Sequence, residues 1–260
     1  MGLIRVKNSK ILGGVALALA MLFVAPVASA DETQARDLFK AMSDYLGKQK
    51  KISFNLDTSL DVVTRDQQKL SIASSGAVTL TRPNKIHVTR KGGFADTELF
   101  FDGKTLSVLR KDQNLYAKSE IPGSIDNLVE VLRNKLQRPL PAADLLAASV
   151  FDEMMPLVTD VKDLGSGVIR GIECDHLAFR SDDVDWQIWI TQGSRPRPMR
   201  FTITSSKVAG SPQYQVDVMN FKANANVPDF DFNFVAPVGS KQVEPEQLGN
   251  FDELPEIYKP

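Results

Sequence analysis

Just before residue 52 the period of apolar and polar residues changes, and the change separates a helix from a succession of strands. From Asp31 to Leu46 the apolar positions Ala35, Leu38, Phe39, Met42, Tyr45 and Leu46 recur at helical spacing, and Gly47 follows as a stop. The spacing predicts one amphipathic helix whose apolar stripe has to pack on something. Past a lysine-rich turn, Ile52, Phe54, Leu56, Thr58, Leu60 and Val62 alternate with Ser53, Asn55, Asp57, Ser59 and Asp61. Alternation over that length predicts a long strand with one buried face and one wet face.

The alternation resumes with Leu70, Ile72, Val78 and Leu80, and again with Ile86 and Val88 after the Arg82-Pro83-Asn84 turn. Gly92-Gly93 and Asp102-Gly103 fall between apolar runs, where tight hairpins need residues that tolerate positive φ. An antiparallel meander is expected, with later strands over 172–180, 186–191, 200–205, 214–221 and 230–234. Between 124 and 160 the strand pattern lapses. Ser124 can cap a helix presenting Ile125, Leu128, Val129, Leu132 and Leu136, and Pro141 can open a second through Leu145 and Leu146. Met154, Met155, Leu157 and Val158 form a third short apolar piece around Pro156. This insert is too apolar for a solvated loop.

A one-sided antiparallel sheet needs a cover. The fold class expected is therefore mainly β (α+β): a curved antiparallel half-open barrel, its concave face covered by helices from the start and the middle of the chain. From Gly239 onward the sequence is polar and proline-punctuated. Residues 240–260 are expected as a loosely attached tail on a single domain spanning 31–239.

Residues 1–30 stand apart. Arg5, Lys7 and Lys10 precede an apolar run from Ile11 to Val24, and Pro26 and the small-residue triplet Ala28-Ser29-Ala30 close it. This is the pattern of a secretory signal cut after Ala30, so the working chain is expected to begin at Asp31, outside the cytoplasm. The run is shorter than the ~20 apolar residues that span a bilayer, and no cysteine stands at the cut to carry a lipid. No transmembrane segment is expected in the mature chain. Removing the segment takes away three positive charges and no negative ones, so the formal balance moves from −1 to −4. That balance gives no electrostatic case for nucleic acid. With one cysteine there is no internal disulfide, and the exported domain has to stand on packing.

P-loop, G-x-G-x-x-G, G-x-S-x-G and H-E-x-x-H patterns are absent, and nothing calls for a cofactor. Cys174 and His176 project from the same side of a strand, where a thiol and an imidazole could meet. A nucleophile of that kind also needs an orienting group and an oxyanion site. Neither is identifiable, and the plainer reading is a small buried cysteine and a hydrogen-bonded histidine. Asp182, Asp183 and Asp185 lack the turn glycine and closing glutamate of a calcium loop and read as a hairpin turn. Asp229 and Asp231 alternate with Phe230, Phe232 and Phe234, as on an amphipathic strand. Trp186, Ile188 and Ile190 share a strand face, and Trp189 takes the other. No catalytic and no metal-binding residue is expected.

Several phrases are similar to periplasmic proteins of the lipoprotein-carrier fold, the LolA/LolB type. They are Thr81-Arg82-Pro83-Asn84-Lys85, Phe101-Asp102-Gly103 leading on to Tyr116, the strand from Trp186 to Ile190, Pro198-Met199-Arg200-Phe201, and Phe234-Val235-Ala236-Pro237. Within that superfamily the chain most resembles a group of predicted periplasmic proteins of unassigned function, through His176-Leu177-Ala178-Phe179-Arg180 and the phrase from Asp183 to Ile190. The resemblance covers nearly all of the mature chain. It implies a LolA/LolB-like half-barrel with a concave apolar surface able to accept acyl chains or another hydrophobic ligand.

The function expected is a non-catalytic periplasmic binding or carrier protein for a hydrophobic ligand: a lipid, an acyl chain or the lipid moiety of a lipoprotein. An envelope protein–protein interaction or sensor module on the same fold is the alternative. Candidate ligand contacts on the sheet are Phe54, Leu56, Leu99, Phe101, Trp186, Ile188, Phe201 and Ile203; on the helical cover they are Leu128, Leu132, Met154 and Met155. Each buried methylene contributes ~0.8 kcal/mol, so about ten of them supply on the order of 8 kcal/mol before ordering costs. A cavity suffices for useful affinity, with no catalytic group.

Overall fold

The computed structural model describes residues 28–134 and 143–248. The first helix, α1 (Ala28–Gly47), buries Ala35, Phe39, Met42 and Leu46 along one stripe. It begins before the expected Asp31, so that Ala28 and Ala30 lie in its first turn. The pairs Glu32–Arg36 and Lys40–Asp44, each four residues apart, line its wet side. Residues 1–27, with the basic start and apolar run of the signal pattern, lie outside the described residues.

Six strands follow as one meander: β1 (Lys51–Val63), β2 (Lys69–Thr81), β3 (Lys85–Gly92), β4 (Asp96–Phe101), β5 (Thr105–Arg110) and β6 (Leu115–Glu120). After α2 (Ile125–Asn134) and α3 (Val150–Met154), a second meander runs through β7 (Val158–Ile169), β8 (Ile172–Ser181), β9 (Asp185–Thr191), β10 (Pro198–Thr204) and β11 (Gln213–Ala223). The short β12 (Lys241–Gln242) comes last. The order across the sheet is β12-β6-β5-β4-β3-β2-β1-β11-β10-β9-β8-β7. All pairings are antiparallel except that of β12 with β6.

The two meanders are joined at their inner strands, from Ile52 opposite Ala223 to Leu60 opposite Tyr214. This topology explains why the insert is apolar: the chain leaves the sheet at β6, near one edge, and re-enters at β7, the other edge. It crosses the concave face on the way. Laid flat, strands spaced at ~4.8 Å would make this sheet about 50 Å wide, against ~10 Å for one helix. Yet one buried cluster takes in Leu80 and Phe101 from the first meander, Leu177 and Phe201 from the second, and Phe39, Leu128 and Val150 from the helices. The sheet is curled round its helices as a half-open barrel.

Ser124 caps α2, its Oγ accepting from the Asn127 N–H at 3.1 Å, and Ile125, Leu128 and Leu132 are buried on the inner side. Leu136 and Pro141 lie outside the described residues. The second helix expected through Leu145 and Leu146 is a 3-10 turn, Ala143–Leu146. α3 is capped by Ser149 and continues into a 3-10 turn, Met155–Leu157, around Pro156.

Three expectations change. Residues 158–160 belong not to the insert but to β7, a strand whose alternation is broken by a bulge between Asp163 and Ser166. Residues 230–234 form no strand. They are part of a strap that crosses the outer face of the first meander, with Phe230 on His87, and Phe234 on Phe100 and Tyr116. Finally, the chain is not loose over 241–248: the Lys241 N–H donates to Asn114 O and the Val243 N–H to Tyr116 O. Leu248 is buried, and its carbonyl accepts from Arg110 Nη1 at 3.0 Å. Residues 249–260 lie outside the described residues.

Candidate functional site

The inner face of β1 presents Ile52, Phe54 and Leu56 between Val78 and Leu80 of β2 on one side and Val216 and Val218 of β11 on the other. The ladder between β1 and β11 slips once. Ser53 pairs with Lys222 but Asn55 with Met219, so Asn220 and Phe221 both stand opposite Phe54. Asn220 takes φ 52°, a conformation asparagine tolerates, and its Nδ2 donates to Asn55 Oδ1 at 3.2 Å. The extra residue reverses the parity of the strand. Phe221 therefore lies inward beside Phe54, ring centroids 6.4 Å apart and planes 13° from parallel.

Over this wall sits a lid, the 3-10 turn Ala143–Leu146 and the residues up to Ser149. The β2–β3 corner holds it. Arg82, whose bond to Pro83 is cis, donates from Nη1 to Leu146 O at 2.9 Å and from Nη2 to Ala147 O at 3.1 Å. Burial lowers the Arg82 guanidinium from its ordinary range, with Asp126 opposing the shift, and an arginine so placed stays charged. Asp126 of α2 accepts from the Ala148 N–H at 3.0 Å, and Pro83 O accepts from the Ile125 N–H at 2.9 Å. Gly47, at the end of α1, lies so close to the lid that a Cβ there would meet Ala148 O at 2.6 Å. α1, α2 and the corner thus clamp one short segment.

Between wall and lid is a cavity of about 120 Å3. Its sheet side is Ile52, Phe54, Leu56, Val78, Leu80, Val88, Val216, Val218 and Phe221, with Pro198 and Tyr214; its cover is Leu46, Ala143, Leu145 and Leu146. Arg90 and Thr89 are the polar residues of β3 at its margin. A wider groove of about 570 Å3 lies on the other side of the sheet, where Pro228, Asp229 and Phe230 of the strap bridge Asn55, Thr79 and Lys222. Those groove residues are exposed or half-buried. The apolar, covered cavity is the better candidate for holding a ligand against water.

Of the expected contacts, Phe54 and Leu56 line this cavity. Leu99, Phe101, Leu128, Leu132, Met155, Trp186, Ile188 and Phe201 are buried in the packed core, and Met154 and Ile203 are partly buried against it. Phe39 of α1 fills the space over the second meander, its ring 5.3 Å from those of both Phe179 and Trp186. Alternation places Val78, Val88, Val216 and Val218 on the inner face just as it places Leu99. Where the helices rest decides which of them remain uncovered.

The other candidate groups are occupied elsewhere. Cys174 is buried with Ile169 and Met199 on the outer face, its thiol near Ile172 O at 3.5 Å, and burial raises its pKa. His176 lies on the Trp189 ring at 4.0 Å, with Nε2 2.9 Å from Gln187 Oε1. Asp185 pairs with Arg180, Asp183 with Lys207, and Asp229 with Lys51. Among the described residues no three His, Cys, Asp or Glu are gathered as metal ligands.

An unclosed, mainly antiparallel sheet curled round a helical cover, with an apolar cavity between them, makes a half-open barrel. Residues 35–245 match the family described as predicted periplasmic protein, DUF2092, and the chain belongs to that family. It is a periplasmic protein, and among the described residues no helix is long and apolar enough to cross a membrane.

An uncharacterized conserved protein from Thermus thermophilus is 14% identical over 81% of this chain and 99% of its own, with a TM-score of 0.48. The Mycobacterium tuberculosis lipoprotein LppX is 14% identical over 78% and 100%, with a TM-score of 0.38. A LolA superfamily protein from Nitrosomonas europaea is 12% identical over 77% and 97%, with a TM-score of 0.35. No curated protein matches the sequence.

Proposed function

We propose that the protein binds a hydrophobic ligand in the periplasm and carries it there without catalysis, the ligand being a lipid, an acyl chain or the lipid moiety of a lipoprotein. In the mature form the chain starts at Asp31. The observation that carries this reading is the apolar cavity between Phe54, Leu56 and Phe221 on the sheet and Leu145 and Leu146 on a lid that three elements hold in place. A core with no ligand to admit gains nothing from such a hollow, because unfilled volume costs roughly 24 cal/mol per Å3. Native mass spectrometry and lipid extraction, on protein released gently from the envelope, test the reading. Co-purified lipid at a fixed stoichiometry is expected, and a reproducibly empty protein that also takes up no added lipid would sink it.

A second reading is favoured by a different feature. Among the described residues β7 is an outermost strand of the sheet, and Leu164 and Val168 on it are 47% and 68% exposed, with Leu157 in the turn just before it at 67%. Such an edge can pair with an extended segment of an envelope protein. Crosslinking in cells from a photoreactive residue at position 164 is the discriminating test. One dominant protein adduct would support the interaction role, and an unmodified chain would remove it.

A further inference from the structure

We infer that the cavity selects amphiphiles with an anionic headgroup, and that Arg90 receives that headgroup; the inference rests on the ligand-binding reading above. β3 sends Ile86 and Val88 inward, and Arg90 occupies the next inward position. Among the described residues that line the cavity it is the one that carries a charge. Its place is fixed by neighbours on two strands: Nε donates to Ser74 Oγ at 3.1 Å, and Ser74 Oγ is 2.6 Å from Thr58 Oγ1. Both hydroxyl residues are buried, at 5% exposure each. Gly76, directly opposite Arg90 in the register, lets β3 approach so closely that a Cβ there would run into the Thr89 carbonyl.

The wall therefore has two ends. Along β1 the inward series runs Ile52, Phe54, Leu56 and then Thr58; along β2 it runs Leu80, Val78, Gly76 and then Ser74. The apolar end lies under the lid, beside Leu46 and Leu146, and the polar end lies around Arg90. A ligand matched to this wall is apolar over most of its length and anionic at one end. Guanidinium suits that end because its planar fork meets a carboxylate or a phosphate through two parallel hydrogen bonds. In an apolar surrounding such charge-assisted bonds are worth more than in water. Arg90 makes further contacts besides Ser74, so an anion binds by adding to them or exchanging with them.

The test compares probes of one chain length on the delipidated protein, below their micellar concentrations: dodecanoate, dodecanol and dodecyltrimethylammonium, with acetate as the free anion, each titrated by calorimetry. Dodecanoate is expected to bind on the order of tenfold more tightly than dodecanol, as a charged hydrogen-bond pair implies. The cationic probe is expected to bind most weakly. Arg90→Met should bring dodecanoate and dodecanol within about twofold of each other while dodecanol binding persists, and Arg90→Lys should restore part of the preference. Should Arg90→Met fail to fold, the wild-type order of the three probes still decides. Equal binding of acid and alcohol would overturn the headgroup assignment and leave the cavity reading intact. Binding of none of the chains would overturn both. Acetate binding as tightly as dodecanoate would mark a site for free anions and overturn the claim that an amphiphile is selected.

Discussion

His87 lies on the outer face of β3 between two rings, with centroids 4.5 Å from Phe100 and 4.4 Å from Phe230 of the strap. Its Nε2 is 2.7 Å from Glu98 Oε1, and Lys111 Nζ holds the other carboxylate oxygen at 2.6 Å. Burial pulls the imidazole below the ordinary value of 6.5, and Glu98, acting the other way, does not restore it. Burial pushes Glu98 up, but hydrogen bonds from Lys111 and His87 together leave it below its ordinary 4.5. The unfolded chain thus takes a proton on this histidine before the folded one does. The contribution of His87 is complete above pH 6.5 and is lost as the pH falls through the lowered folded value; that of Glu98 is complete above 4.5 and is lost below it. Urea unfolding of wild type and His87→Gln between pH 7.5 and about 5 is the check. The variant should lose part of the decline that wild type shows below pH 6.5, and identical slopes would contradict the assignment.

Cys174 makes a simpler prediction at the same scale. A fully buried thiol held protonated by its surroundings is a poor nucleophile. Iodoacetamide at pH 8 should label it only as fast as the protein unfolds, so that the labelling rate rises with urea in parallel with unfolding. Prompt labelling of the native protein would show that the pocket around Ile169 and Met199 opens without unfolding.

Among the elements, the lid is clamped by side-chain hydrogen bonds to its backbone, whereas the strap is held by aromatic side chains along its length and by backbone bonds at its far end. Removing the Arg82 guanidinium deletes both bonds to the lid carbonyls, and hydrogen bonds to charged groups contribute about 1.5–3 kcal/mol each. Arg82→Met should therefore speed amide exchange over 143–149 by at least about tenfold, while amides of β1 and β2 exchange as before. Uniform acceleration across the protein would mean that Arg82 serves global stability instead. For the strap, truncation after Asn226 uncovers Phe100, His87 and Tyr116, and anilinonaphthalene sulfonate fluorescence should rise. Dodecanoate uptake should persist, since the cavity lies on the opposite face; its loss would place the strap in the binding site.

The strap also shows what alternation cannot announce. Phe230, Phe232 and Phe234 alternate with Asp229, Asp231 and Asn233 because one side lies on the outer aromatic patch, not because a partner strand exists. Its far end docks through backbone groups of Lys241 and Val243, which leave no mark in side-chain pattern. β7 escaped for the opposite reason: the bulge at Asp163–Ser166 shifts its alternation. β1 and β2 were plain in the sequence because long one-sided strands in register must keep the period, and β11 keeps it as far as the bulge at Asn220. Of the cavity, two lining residues were visible, Phe54 and Leu56. Its remainder depends on a bulge that turns Phe221 inward and on where α1 and the lid come to rest, and neither is a property of any single strand.

For the molecule as a whole, the size of the cavity sets how it must work. About 120 Å3 is well below the ~300–1,000 Å3 of ordinary small-molecule sites and below the ~150 Å3 of a dry hollow that admits benzene. An acyl chain with about ten methylenes does not fit until Leu145 and Leu146 move, although its burial supplies on the order of 8 kcal/mol once inside. On the proposed ligand-binding reading, this arrangement is the lid-down one, and a chain of that length enters after Leu145 and Leu146 lift. Uptake measured by stopped flow should rise with dodecanoate concentration and then reach a plateau equal to the opening rate, because no excess of ligand can outrun the lid. Arg82→Met weakens the clamp without touching the apolar wall, so it should raise the plateau and leave the dissociation constant at or below the wild-type value. A rate linear in ligand concentration throughout, and equal in the two proteins, would mean that chains enter by the open end of the half-barrel and that the lid plays no part in loading.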